Sequence, residues 1–139
     1  MKKIFVILLA TILLFSMVIP AYAALPDPPA SPQYSYIETY DSGLSINQTT
    51  GIATCSASCF VYGNNTIKIE YVLQRYMGSY WGTVKTWTSS GTSYASLSKS
   101  RTVDSGYTYC GDITFRVYNS AGRLLETGNV TETYSYPSP

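Results

Sequence analysis

The chain has 139 residues, with nine Lys and Arg against eight Asp and Glu, no His and three Cys. A balance so close to neutral lacks the basic patch that neutralises phosphates, so the composition argues against nucleic-acid binding. Without His, the chain has no Ser-His-Asp triad, no Cys-His pair and no imidazole ligand for a metal ion.

Residues 1–23 have the three parts of a helical signal peptide. Two lysines follow the initiating Met, residues 4–19 are almost continuously apolar, and small residues precede a predicted cleavage between Ala23 and Ala24. The apolar run of about 16 residues is shorter than the roughly 20 that a membrane-spanning helix needs. We therefore expect a secreted, extracellular bacterial protein with no stable membrane anchor after cleavage. Retention of this segment as an anchor is the alternative.

The 116 residues after the predicted cleavage site favour β structure. They include 17 Ser, 15 Thr and 13 Tyr, and no window shows sustained helical periodicity. Residues 24–33 hold four prolines and predict an extended arm. The rest, residues 34–136, has the length of one domain.

The first half of this domain predicts three strands. Residues 34–40 form the first, with Tyr34, Tyr36 and Tyr40 on one face, and Asp41-Ser42-Gly43 predicts a turn after it. Gly51 predicts a second turn, and the strand that follows has an apolar face of Ala53, Cys55, Ala57, Cys59 and Val61. Gly63-Asn64-Asn65 predicts a hairpin turn. The third strand has an apolar face of Ile67, Ile69, Tyr71 and Leu73.

The second half predicts a loop at residues 78–82, a strand at 83–88 and a short strand near 94–97. A turn at 104–106, a strand at 107–118, a turn at 119–122 and a final strand or pair at 123–136 complete the pattern. Seven or eight strands with turn signals every 8–12 residues are typical of an antiparallel two-sheet β-sandwich.

Three cysteines in an exported chain predict one disulfide and one unpaired thiol. On a regular strand, Cys55 and Cys59 lie about 13 Å apart, beyond the reach of a disulfide. Cys110 is then the partner of one of them: Cys59–Cys110 is the first choice and Cys55–Cys110 the second. Strict alternation places Cys110 away from the core, so either bond needs a bulge at Gly111. Three buried thiols are the alternative, and an unpaired thiol would allow a disulfide-linked dimer.

Two resemblances bear on the fold. An earlier Cys, a Trp and then residues 104–110 resemble the strand-F signature of immunoglobulin domains, in which Tyr stands two residues before Cys; Thr108 has that position here. This likeness implies an immunoglobulin-like, Greek-key sandwich.

Residues 67–127 also resemble small secreted β-sandwich proteins of Gram-positive bacteria whose function is uncharacterised. The matching positions are Leu73–Tyr76, Trp81, Trp87, Gly106-Tyr107, Phe115–Val117 and Gly122–Thr127. This likeness implies a fold and an extracellular location, and no activity.

Catalysis and metal binding find little support in the sequence. A glycosidase needs two carboxylates facing each other across a cleft, and no spacing singles out such a pair. No Asp-x-Asp run gathers the six or more oxygen ligands that calcium takes. The candidates are Asp27, Glu38, Asp41, Glu70, Asp104, Asp112, Glu126 and Glu132. We therefore expect a protein that is not an enzyme and holds no cofactor or metal.

Ligand binding is the stronger expectation. Tyr76, Tyr80, Trp81 and Trp87 cluster around one predicted loop and strand, and exposed aromatic rings stack on sugars or anchor proteins. The sequence thus predicts a secreted binding module for a cell-envelope glycan or surface protein. The same rings could instead be core fillers. Two other classes stay open: a bacteriocin-like, membrane-active protein, suggested by the weakly amphipathic residues 89–100, and an extracellular matrix protein that self-associates through strand edges.

Overall fold

The computed structural model describes residues 33–139, which form one compact unit, Gln33–Pro139. The predicted signal peptide, its cleavage site at Ala23 and Ala24, and the Pro-rich arm up to residue 32 lie outside the described residues. Within the described range, no helix is long and apolar enough to cross a membrane.

Seven strands make up this unit. They are β1 (Ile37–Asn47), β2 (Ile52–Val61), β3 (Thr66–Tyr76), β4 (Trp81–Thr92), β5 (Tyr94–Thr102), β6 (Tyr107–Tyr118) and β7 (Leu124–Tyr136). One sheet has the order β1-β2-β5 and the other the order β4-β3-β6-β7, with every neighbouring pair antiparallel. The predicted all-β, two-sheet architecture is confirmed.

The core lies between the two sheets and follows from strict alternation along the central strands. In β2 the five predicted inward positions are buried, and in β3 the four predicted positions, Ile67, Ile69, Tyr71 and Leu73, have no exposed surface. Burying a side chain of this size contributes roughly 1.5–3 kcal/mol. Strand β6 adds Tyr109, Ile113, Phe115 and Val117 from the same sheet. These three strands therefore fix which face of each sheet points inward.

The predicted turn at Asp41-Ser42-Gly43 is wrong. These residues lie inside β1, where Asp41 pairs with Ser58 and Gly43 with Ser56 of the neighbouring β2. The first strand begins at Ile37, so that Tyr34 and Tyr36 precede it. The real turn follows Asn47, whose side-chain oxygen accepts hydrogen bonds from the amides of Thr49 and Thr50.

Two connections differ from the sequence prediction. Gly63-Asn64-Asn65 does not close a hairpin, because β2 and β3 belong to different sheets and the segment carries the chain across the sandwich. Strand β4 runs further than predicted, to Thr92, and the chain then crosses to the other sheet at Ser93. Ser93 has a φ of 63°, and its hydroxyl donates a 2.8 Å hydrogen bond to the carbonyl of Gly63. This hydrogen bond thus connects the two segments, after β2 and after β4, in which the chain crosses between the sheets.

The predicted disulfides, Cys59–Cys110 and Cys55–Cys110, are wrong, because all three cysteines are buried free thiols. Strand β6 pairs with β3 and β7 without a break around Gly111, so the bulge that would turn Cys110 inward does not form. Cys110 instead stands opposite Gln74 and Thr133 on the outer side of its sheet, whereas Cys55 and Cys59 belong to the core. The three-thiol alternative is the observed state.

Candidate functional site

The turn between β3 and β4 brings two of the predicted binding residues together. Tyr76 and Trp81 are opposite each other in the last pair of the ladder, and their ring centroids lie 5.2 Å apart. The Tyr76 hydroxyl donates a 2.6 Å hydrogen bond to the carbonyl of Gly78, which fixes its ring. Both rings remain about 40% exposed. They form a held, accessible aromatic pair.

Tyr80 completes this surface from within the turn. The amide of Met77 donates a 2.8 Å hydrogen bond to the carbonyl of Tyr80 and closes the loop. Tyr80 is 61% exposed, more than any other large hydrophobic or aromatic residue described. Met77 and Tyr80 are the nearest side chains to the free face of Gly82, so the absence of a side chain there leaves them room. Tyr76, Tyr80 and Trp81 are called the aromatic hairpin below.

The structure does not bring Trp87 into this group. It stands opposite Tyr71 in the ladder, with ring centroids 6.3 Å apart, and packs against the core. Trp81 and Trp87 are six residues apart and would share a face in a regular strand. A register shift opposite Leu73 and Gln74 gives β4 one extra residue, which reverses the facing. No residue type in the sequence signals this bulge.

A cleft of about 440 Å³ adjoins the aromatic hairpin. It lies between the first residues of β4 and the end of β5, two strands that belong to different sheets. Tyr80 and Met77 line it from the hairpin, and the buried Tyr109 lines it from β6. Its volume falls within the range of pockets that hold small ligands. No pattern in the sequence predicts this cleft.

Arg75 is the cation of the cleft that has intramolecular partners. Its Nη1 donates a 3.0 Å hydrogen bond to Oδ2 of Asp104, and its guanidinium carbon lies 4.5 Å from the ring centroid of Tyr107. The Tyr109 hydroxyl donates a 2.8 Å bond to the carbonyl of Asp104. Burial raises the pKa of Tyr109, although hydrogen bonds with Arg75 and Asp104 oppose the shift. The hydroxyl therefore remains a donor at neutral pH.

Arg101, near the end of β5, is the second cation of the cleft. It is exposed, and no carboxylate among residues 33–139 lies within ion-pair distance of it. Asp104 is the single carboxylate that lines the cleft and already contacts Arg75. The cleft thus carries one positive charge that has no partner.

The arrangement offers exposed aromatic rings for stacking and a cation for charge recognition. A single engaged carboxylate does not provide the pair of acids that hydrolysis of a glycoside requires. Among residues 33–139, no three Cys, Asp or Glu side chains gather into a possible metal site. Neither protein-family models, nor curated proteins, nor solved structures give a match to this chain. The candidate site therefore rests on its geometry.

Proposed function

We propose that the protein is a non-catalytic binding module that acts at the bacterial cell exterior and holds a cell-envelope glycan on its aromatic hairpin. The single observation that carries this proposal is the exposure of Tyr76, Tyr80 and Trp81 together on one turn. Hydrophobic burial would normally draw such rings into a core. Here the hydrogen bond from Tyr76 and the tight closure of the turn hold them at the surface.

A glycan suits the surroundings of these rings better than a protein partner does. The next cross-strand pair on the same face is Gln74 and Thr83, which are polar and offer hydrogen bonds to sugar hydroxyls. A protein interface of ordinary size instead covers about 800 Å² per partner around an apolar centre. Sugar rings present apolar C–H faces that stack on flat aromatic side chains, with hydroxyls at the rim.

A finer fold assignment accompanies this proposal: the sandwich is immunoglobulin-like, with Greek-key connections. The division into β1-β2-β5 and β4-β3-β6-β7, with crossings after β2, β4 and β5, supports it. The bond from the Tyr109 hydroxyl to the Asp104 carbonyl also supports it. Such a tyrosine corner, at the entry to the sixth strand, recurs in immunoglobulin-like domains. Tyr109 makes the bond, one residue later than the position Thr108 has in the sequence likeness.

Co-sedimentation with purified bacterial cell walls tests the function. The mature protein, residues 24–139, is compared with Trp81→Ala and with Phe60→Ala as the matched control. Phe60 is 48% exposed and stacks on Tyr94 at 4.4 Å in the other sheet, so its removal deletes a comparable aromatic pair elsewhere. We expect Trp81→Ala to weaken retention about tenfold, equivalent to about 1.4 kcal/mol, and Phe60→Ala to leave it unchanged.

The other outcomes are equally informative. Equal retention of the two variants would show that the aromatic hairpin is not part of the binding surface. If protease treatment of the walls abolishes retention, the ligand is a surface protein and not a glycan. If the protein stays in the supernatant, the wall-binding function is wrong, and growth-inhibition and self-assembly assays become the relevant measurements.

A further inference from the structure

We propose that the cleft beside the aromatic hairpin is a subsite for an acidic group on the glycan, a carboxylate or a phosphate, and that Arg101 is its main contact. This inference rests on the proposed function and adds the chemical class of the ligand. Its main contact, Arg101, is not part of the aromatic hairpin, although Tyr80 borders both. The two can therefore be tested separately.

The charge of the cleft is the first support. Two guanidinium groups, Arg75 and Arg101, line it against one carboxylate, Asp104. Arg75 and Asp104 form an ion pair at 3.0 Å, whereas Arg101 has no acidic partner among the described residues. An arginine with free donors binds carboxylate or phosphate oxygens in a bidentate manner. A ligand acid would supply the charge that this cation lacks.

A second cleft, on the outer face of the sheet that carries the aromatic hairpin, provides a comparison, because the cations that line it do have partners. This second cleft is lined by Lys68 and Arg116. Arg116 lies 3.5 Å from the carboxylate of Glu70, and the Lys68 ammonium stands over the ring of Tyr118 at 5.0 Å. Both cations there have intramolecular partners. By contrast, Arg101 in the cleft next to the aromatic hairpin has no acidic partner among the described residues, so it is available to a ligand.

Continuity with the aromatic hairpin is the second support. Tyr80 belongs to the aromatic hairpin and also lines the cleft, so a ligand that stacks on Tyr80 borders the cleft. The cleft volume of about 440 Å³ accommodates a single sugar residue with an acidic substituent. Arg75 contacts both Asp104 and the Tyr107 ring, and these contacts restrict its orientation before a ligand arrives. Fixing a group in advance reduces the entropy that binding costs.

The test measures the affinity of the mature protein for three soluble polymers by affinity electrophoresis. Polygalacturonate carries carboxylates, poly(glycerol phosphate) carries phosphates and dextran is neutral. The variants are Arg101→Gln and, as the control, Arg123→Gln. Arg123 is exposed and follows the turn between β6 and β7, at the other end of β6 from Tyr107. Both substitutions remove one positive charge. Thermal unfolding of each variant is measured to check that it folds.

We expect binding to at least one acidic polymer and a loss of about tenfold for Arg101→Gln, with Arg123→Gln unchanged. Which polymer binds identifies the acid as carboxylate or phosphate. Equal losses for the two variants would mean long-range attraction without a subsite and would overturn the inference. Retention on cell walls that depends on Trp81 and not on Arg101 would overturn it while leaving the proposed function intact. If wall binding itself is absent, both proposals fail.

Discussion

The hydroxyl of Tyr71 donates a 3.0 Å hydrogen bond to the carbonyl oxygen of Gly43, so that one side chain joins the two sheets. Tyr71 belongs to β3 and Gly43 to β1, and the Tyr71 side chain is completely buried. Burial, and to a lesser extent the neighbouring Cys55, raises the pKa of Tyr71. The hydroxyl therefore stays protonated and remains a donor over the accessible pH range.

Tyr71→Phe tests this connection between the sheets. The substitution removes the donor and leaves the Gly43 carbonyl without its partner, which costs about 1–2 kcal/mol. We expect a lower urea midpoint with an unchanged slope. Tyr80→Phe is the control, because Tyr80 is exposed and lies outside the core. Equal midpoints for the two variants would show that the bond to Gly43 adds no stability.

Gly111→Ala tests the space that Tyr71 needs. A Cβ on Gly111 would overlap the hydroxyl and ring of Tyr71, and overpacking of this kind costs about 1–3 kcal/mol. In an open strand the same change is mildly favourable, because Ala loses less backbone entropy than Gly. Gly82→Ala is the control, since its Cβ would come no closer than 3.4 Å to the flexible Met77 side chain. Unfolding that is unaffected by Gly111→Ala would contradict the packing described.

The sequence predicts the parts of the fold that depend on one strand alone. The inward faces of β2 and β3 are visible because each strand alternates strictly between core and exterior. The turn proposed at Asp41-Ser42-Gly43 fails because ladder partners in β2 override local turn preference. The interior position of Trp87 cannot be predicted from the sequence of β4 alone, for a similar reason. It depends on a bulge that forms only when β4 pairs with β3.

The candidate site shows the same division between local and long-range information. Tyr76, Tyr80 and Trp81 are close in sequence and share one turn, so their clustering is readable before folding. Arg101 reaches the site only because the end of β5 lies beside the start of β4, a strand of the other sheet. Its meeting with Arg75 depends on topology, and no local pattern around either residue indicates it.

The Glu126 carboxylate fastens the segment that leads into β1. Its two oxygens accept hydrogen bonds from the amides of Ser35, Tyr36 and Ile37, at 2.7, 2.9 and 2.9 Å. Desolvation raises the pKa of Glu126, but these three bonds outweigh it and lower that pKa overall. A carboxyl whose pKa is lowered on folding stabilises the folded state when ionised. This contribution is complete above the unfolded pKa, near 4.5, and is lost as the pH falls through the folded value.

Glu126→Gln should therefore lower stability at neutral pH and have less effect in acid. At pH 7 the loss of a charged acceptor costs about 1 kcal/mol, a modest figure because the site is partly exposed. As the pH falls through the lowered pKa of Glu126, the wild-type carboxyl becomes protonated, and the two proteins should converge. Urea unfolding at pH 7, 5 and 3 measures the difference, with Glu38→Gln as an exposed control. A difference that is constant with pH would exclude the charge of Glu126 as the cause.

The three buried thiols make a prediction that separates the observed fold from the disulfide-linked alternative. Burial raises the pKa of Cys55 and of Cys59 to about 11 and also raises that of Cys110. Because the thiolate is the reactive form, a thiol reagent at pH 8 should react very slowly with the native protein. In guanidinium chloride, three thiols per chain should react at once.

Cys110→Ala supplies the independent check. A disulfide that closes a loop of about 50 residues would add about 4 kcal/mol to the free energy of unfolding. If Cys110 is instead a free thiol on the outer side of β6, its replacement should lower that free energy by about 1 kcal/mol or less. Thermal unfolding without reductant measures the difference, and Cys59→Ala, which opens a small cavity in the core, gives the comparison. One reactive thiol in the denatured chain, with a large loss of stability in Cys110→Ala, would establish the disulfide after all. Three reactive thiols and a small loss would confirm that packing between the sheets holds the sandwich together without a crosslink.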